Sequence, residues 1–117
     1  MSDSQPTDGR TRSARIAELN DRLRTTLAGG KVMMTAGVQA HGAAFIAKAV
    51  TTMKVFAAFD ADNDPHHEHD FGAFEVDDHR LFFKVDYYSP DMESGSEDSA
   101  DPTKTVRVLT LMLAEEY

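Results

Sequence analysis

The most hydrophobic stretch of the chain, Lys104–Ala114 (KTVRVLTLMLA), constrains the fold more than any other feature. It falls short of the ~18 apolar residues that a membrane span requires. Its Val, Thr and Leu pattern favours a central strand. Such a strand needs partners along its edges and a layer to cover it. Lys31–Val38 (KVMMTAGV), short, apolar and β-branched, reads as one partner strand. Gly72–Val76 and Arg80–Tyr88 are rich in Phe, Val and Tyr, and Asp77-Asp78 between them reads as a hairpin turn. In the second hairpin strand Leu81, Phe83, Val85 and Tyr87 share one face, and Phe82, Lys84, Asp86 and Tyr88 the other. The first set is expected to meet the helices.

Two amphipathic segments supply those helices. From Thr11 or Ser13, Ile16, Leu19, Leu23 and Leu27 recur at helical spacing, with Arg15, Glu18, Asp21, Arg22 and Arg24 assigned to the opposite face. Gly29-Gly30 is the expected stop. Residues 40–57 carry a second stripe of Ile46, Ala49, Val50, Met53, Phe56 and Ala57. The expected order is helix-strand-helix-strand-strand-strand. This is an α+β fold with two helices on one face of a four-stranded, mostly antiparallel sheet. At 117 residues, 41% of them hydrophobic, the chain suits a single domain. Residues 1–10 are expected to be a flexible tail and 11–117 the domain, with an acidic, mobile loop at 89–103.

Charge is unevenly spread. Residues 1–57 hold eight Lys/Arg and four Asp/Glu, whereas residues 58–101 hold fourteen Asp/Glu against Arg80 and Lys84 alone. The second block is therefore 2 − 14 = −12 within a chain of net −8. A block of one sign repels nucleic acid and anionic membranes and attracts cations or basic protein surfaces. The chain has no cysteine, which excludes disulfides and thiolate metal sites. Met1–Thr11 is polar and lacks an apolar signal core, so a cytoplasmic location is expected.

Several segments resemble a family of small bacterial proteins known only as a domain of unknown function. They are Ile16–Asp21, Thr35–Val38, Asp62–His66, Glu68–Gly72, Asp86–Tyr88 and Leu109–Tyr117, so the resemblance runs from about residue 15 to the end. It implies a place among accessory genes of plasmids and other mobile elements, and hence a role against host defence.

Chemistry-bearing residues are densest in Asp64-Pro65-His66-His67-Glu68-His69-Asp70. Imidazoles and carboxylates at this density suit a divalent cation such as Zn²⁺ or Ni²⁺, with His66, Glu68, His69 and Asp86 as the candidate ligands. No His-Glu-x-x-His motif is present, and Pro65 and Phe71 rule out a calcium loop. The plainer reading gives this segment a structural job, with His69 and Asp70 holding the loop against the hairpin. No phosphate loop or nucleophile elbow is present either.

A second constellation is acidic and aromatic. Asp91, Glu93, Glu97, Asp98 and Asp101 lie in one loop, Asp77 and Asp78 at the hairpin turn, and Tyr88 beside the loop. Fixed carboxylates imitate the phosphates of nucleic acid and fit a basic groove. The leading expectation is therefore a non-catalytic, acidic binding protein. Its partner would be a basic, nucleic-acid-binding protein surface, such as a restriction or CRISPR-type complex, inhibited by DNA mimicry. The alternatives are a metal-binding protein or metal-dependent enzyme using the His66-Glu68-His69 loop, and a structural accessory subunit. No cofactor is expected beyond that divalent metal.

Overall fold

The computed structural model describes residues 9–117, with side chains from Arg12 onward. Most of the expected tail thus lies outside the described residues. The elements are α1 (Gly9–Thr26), β1 (Lys31–Met34), α2 (Ala36–Ala40), α3 (Ala43–Val55), β2 (Phe71–Val76), β3 (His79–Tyr88) and β4 (Val106–Leu113), with short 3-10 turns at Pro102–Lys104 and Ala114–Glu116. The α+β class holds. Among the described residues no helix is long and apolar enough to cross a membrane.

The four strands form one sheet in the order β1-β4-β3-β2. The apolar run is indeed an inner strand. β4 pairs antiparallel with β3, setting Leu81 opposite Leu113 and Val85 opposite Leu109. Its other neighbour, β1, runs parallel to it, so the sheet is mixed. The hairpin turns at Asp77-Asp78, both with positive φ (50° and 70°), which is the primed geometry that matches strand twist.

The inner face carries Leu81, Phe83 and Val85 of β3 and Leu109, Leu111 and Leu113 of β4, packed against Leu23, Val38, Phe45, Ala49 and Met53 of the helices. A fully buried Leu, Phe or Met of this kind stabilises by about 1.5–3 kcal/mol. Gly72 is the tight spot, because a Cβ there would lie 2.3 Å from the Phe83 ring.

Four local expectations fail. The β1 strand stops at Met34, and Thr35 opens α2 instead of extending the strand to Val38. Val38 is fully buried either way, and an apolar run of that length does not reveal its period. The second helix is broken at Gly42 (φ 91°), which separates α2 from α3. Helix α1 ends at Thr26, where Leu27 takes a positive φ (63°) before the glycine pair is reached, and Leu27 is left exposed. Arg24, assigned to the polar face, is buried with 4% exposure. Its guanidinium donates to the carbonyls of Met53 (3.0 Å) and Phe56 (2.8 Å), capping the C-terminus of α3, and it lies over the Phe59 and Phe83 rings.

Candidate functional site

β3 separates two ends of the molecule. One holds the hairpin turn, and the other gathers the histidine loop, the acidic loop and the start of β4. A buried polar network ties the second end together. Asn20 of α1 is fully buried and donates to the Glu68 carbonyl (3.0 Å) and the Tyr87 hydroxyl (2.8 Å). Tyr87 donates to the Glu68 carboxylate at 2.9 Å. Arg107 donates from Nε to Asn20 Oδ1 (2.9 Å) and from a terminal nitrogen to the Ser99 carbonyl, with its guanidinium over the Tyr87 ring. Burial pushes the Tyr87 phenol far up and the Arg107 guanidinium down, each resisting the charged form. Burial likewise raises the Asp70 carboxyl.

The histidine loop is a scaffold of Asx turns. Asp60 Oδ1 accepts from the amides of Asp62 and Asn63. Asp64, 3% exposed, accepts the amides of Glu68 (2.9 Å) and His69 (3.0 Å). His67 and His69 sit at positive φ (58° and 56°). The His69 ring stacks on Phe59 at 4.0 Å, its Nδ1 lies 3.0 Å from both oxygens of Asp21, and its Nε2 lies 3.7 Å from Asp64. His69 therefore fastens the loop to α1, and not to the hairpin. The hairpin is reached through the Asp70 carbonyl, which accepts from the Val85 amide. A cleft of about 560 Å³ opens between α1 and this loop, lined by Ala14, Ala17, Glu18, Asp21, His67 and His69.

The four candidate metal ligands are not brought together. Glu68 is held by Tyr87 and His69 by Asp21, while His66 stays exposed. Asp86 projects from the opposite face of the sheet, where it accepts from Lys84 at 2.6 Å. Among the described residues no group of three His, Asp or Glu side chains is placed to hold a metal ion.

The acidic loop is bonded to itself and to the strands beside it. Its strand-like part bridges Tyr88 to Gly95, and Ser96 donates its amide to the Tyr87 carbonyl. Ser96 Oγ and Thr105 Oγ1 lie 2.7 Å apart. Asp91 accepts from the Ser89 hydroxyl and the Glu93 amide, Asp98 from the Ala100 amide, and Asp101 from the Thr103 amide and hydroxyl. These bonds hold all three carboxyls below their usual range, led by the Ser89 hydroxyl at Asp91, the Ala100 amide at Asp98 and the Thr103 hydroxyl at Asp101. Arg12 of α1 meets Asp98 at 2.9 Å, and Lys104 lies 3.7 Å from Glu97.

A family model described as "Protein of unknown function (DUF3768)" matches residues 34–116. The chain belongs to the DUF3768 family. The match begins at Met34, later than the resemblance at Ile16–Asp21 suggests, so Asn20, Asp21 and Arg24 of α1 lie outside it. Neither the curated proteins nor the solved structures give a match.

In this DUF3768 chain the sequence-selected acidic residues divide into two patches. Asp91, Glu93, Glu97, Asp98 and Asp101 share the loop end. Asp77 and Asp78 sit at the far end of the ten-residue β3, about 30 Å away at ~3.3 Å per residue. There Asp77 pairs with Lys48 at 3.0 Å. Tyr88 borders the loop, half-buried on the helix-free face. The residues that organise the site, Asn20 and Arg107, were not among the candidates. Arg107 shares the parity of Leu109, Leu111 and Leu113, and Asn20 falls between Ile16 and Leu23 on one helix stripe. That placement is the available signal, because a polar residue on a buried stripe demands partners.

Proposed function

We propose that this DUF3768 protein is a non-catalytic binding protein that presents the 91–101 loop to a basic surface. The partner is a nucleic-acid-binding protein, and the loop occupies the groove in which phosphates would lie. One observation carries this reading: the carboxylates of Asp91 and Asp101 are clamped by the loop's own amides and hydroxyls, and that of Asp98 by the Ala100 amide and Arg12, yet all three remain at the surface. A clamped anion has little ordering entropy left to lose on binding. The lowered pKa values keep Asp91, Asp98 and Asp101 charged further into acid than a free aspartate would be. Arg107 and Thr105 fasten the loop to β4, so the array moves with the domain.

The partner class fits a setting in plasmids or other mobile elements, where blocking a restriction or CRISPR-type complex benefits the element. The metal reading is weaker because Glu68, His69 and Asp86 are engaged by different partners and Asp86 lies on a different face.

The test is displacement. Labelled duplex DNA bound to restriction or CRISPR-type complexes is titrated with the protein, and release is read by fluorescence anisotropy. Asp91→Asn, Glu93→Gln, Glu97→Gln, Asp98→Asn and Asp101→Asn together retain acceptor oxygens but remove the charge. The combined variant is expected to lose displacement. If it displaces DNA as well as the unaltered protein does, the mimicry reading fails.

A further inference from the structure

Strand β2 is an edge strand whose outer rim has no partner among the described residues. The Val85 amide bonds the Asp70 carbonyl, which makes 70 and 85 a hydrogen-bonded pair. By the alternation of antiparallel ladders, Gly72, Phe74 and Val76 then bond β3, and Phe71, Ala73 and Glu75 turn their amides and carbonyls outward. This rim is lightly protected: Phe71–Val76 contains no proline and no lysine, and its one charge is Glu75. The opposite edge, β1, is only four residues long and begins with Lys31.

Helix α3 runs beside the same rim. Ala44, Lys48, Thr51 and Val55 recur at i, i+4, i+7 and i+11, all exposed, and Val55 is 73% exposed. A groove lined by Ala47, Lys48, Thr51, Thr52, Glu75, Val76 and Asp77 joins this stripe to the strand. The flank is also close to neutral. Lys48 and Asp77 neutralise each other, and Glu75 faces Arg80 across the hairpin. In a chain of net −8 it is a surface on which two copies can approach without strong repulsion.

We propose that a second copy of this chain docks here, with the two β2 strands pairing antiparallel about Ala73 and the two α3 stripes packing across the two-fold axis. The register is self-complementary. Centring on the small Ala73 places Glu75 of each copy opposite Phe71 of the other, whose cross-strand neighbour is Lys84. The result is a continuous eight-stranded sheet with the acidic loops at opposite ends. The contact is about 20 Å long, from six strand residues or thirteen helical ones, and about 20 Å deep across two layers. That footprint of roughly 400 Å² is below the about 800 Å² per partner of a standard interface, so association is concentration-dependent.

Sedimentation equilibrium of the full chain tests this. The mass is expected to rise from 12.9 kDa toward twice that value between about 1 µM and about 500 µM. Ala73→Pro removes the central outward amide, and Thr51→Glu sets like charges face to face. Each is expected to weaken the dimer at least about tenfold with an unchanged far-ultraviolet circular dichroism spectrum. Thr51→Glu alters only an exposed side chain, so it keeps the test valid if the proline disturbs β2. A monomer at the highest concentration, or a dimer that both variants leave intact, overturns the proposal.

Discussion

Replacing Arg107 with Met tests how the acidic loop is anchored. Met keeps most of the aliphatic volume of the stem and removes the guanidinium. The loss includes the bond from Nε to Asn20 Oδ1 (2.9 Å), the bond to the Ser99 carbonyl and the stacking on Tyr87. Hydrogen bonds to a charged group are worth about 1.5–3 kcal/mol each, and the cation–π contact adds about 0.5–2. Against this gross loss of roughly 4–8 kcal/mol stands the relief of desolvation, which the lowered Arg107 pKa reveals. The acceptors left behind, Asn20 Oδ1 and the Ser99 carbonyl, are neutral, and each such group left unsatisfied costs about 1–3 kcal/mol. A net destabilisation of about 2–4 kcal/mol follows. Urea unfolding, with a slope of about 1–3 kcal/mol per molar, would show a midpoint about 1–3 M lower. Amide exchange should accelerate at Ala100 and Asp101, next to the released Ser99 carbonyl. A midpoint shift equivalent to less than about 0.5 kcal/mol, the ordinary scatter of surface substitutions, would refute the anchoring role.

Asp64→Ala strips the acceptor from the Glu68 and His69 amides and should cost about 2–4 kcal/mol in thermal or urea unfolding, whereas Asp64→Asn retains an oxygen and should cost less than half as much. The carboxyls of Asp91, Asp98 and Asp101 have folded pKa values below their unfolded ones. Their contribution is therefore complete above about pH 4 and is lost as pH falls through the folded values, which carboxyl NMR titration should show as loosening of the loop only in strong acid. Asp70 has the opposite sign. Its raised folded pKa makes its ionised form a cost at neutral pH, so Asp70→Asn should raise the unfolding midpoint at pH 7 and lose that advantage under acid. Protein prepared without a histidine tag should hold far less than one equivalent of Zn²⁺ or Ni²⁺ by elemental analysis, and a full equivalent that disappears in His66→Ala and His69→Ala would reinstate the metal reading.

The parts of the fold that depend on local period were readable. The alternation in Arg80–Tyr88 placed Leu81, Phe83 and Val85 on the core face, and Asp77-Asp78 marked the turn. Features set by tertiary partners were not. Thr35–Ala40 turns helical where Glu116 accepts the Thr35 hydroxyl and the Gly37 amide, a contact spanning most of the chain. The parallel pairing of β1 with β4 has no local mark at all, since it depends on where α2 and α3 return the chain. At the site, the acidic composition of 89–103 suggested mobility, because charge and serine content report solvation well. The same Asp and Ser side chains are also the ones that build Asx turns, and here they bond the loop to itself. The histidine density drew attention to a metal, yet His69 spends its imidazole on Asp21 and Phe59.

The most direct test compares the two acidic patches in one assay. Displacement of duplex DNA from a basic partner is measured across a salt series for the unaltered protein, for the variant neutralised at 91, 93, 97, 98 and 101, and for Asp77→Asn/Asp78→Asn. The loop variant should weaken displacement by at least about tenfold and flatten its salt dependence, while the turn variant stays within about twofold. Equal losses in both variants, or none in either, would contradict a binding surface built by the 91–101 loop.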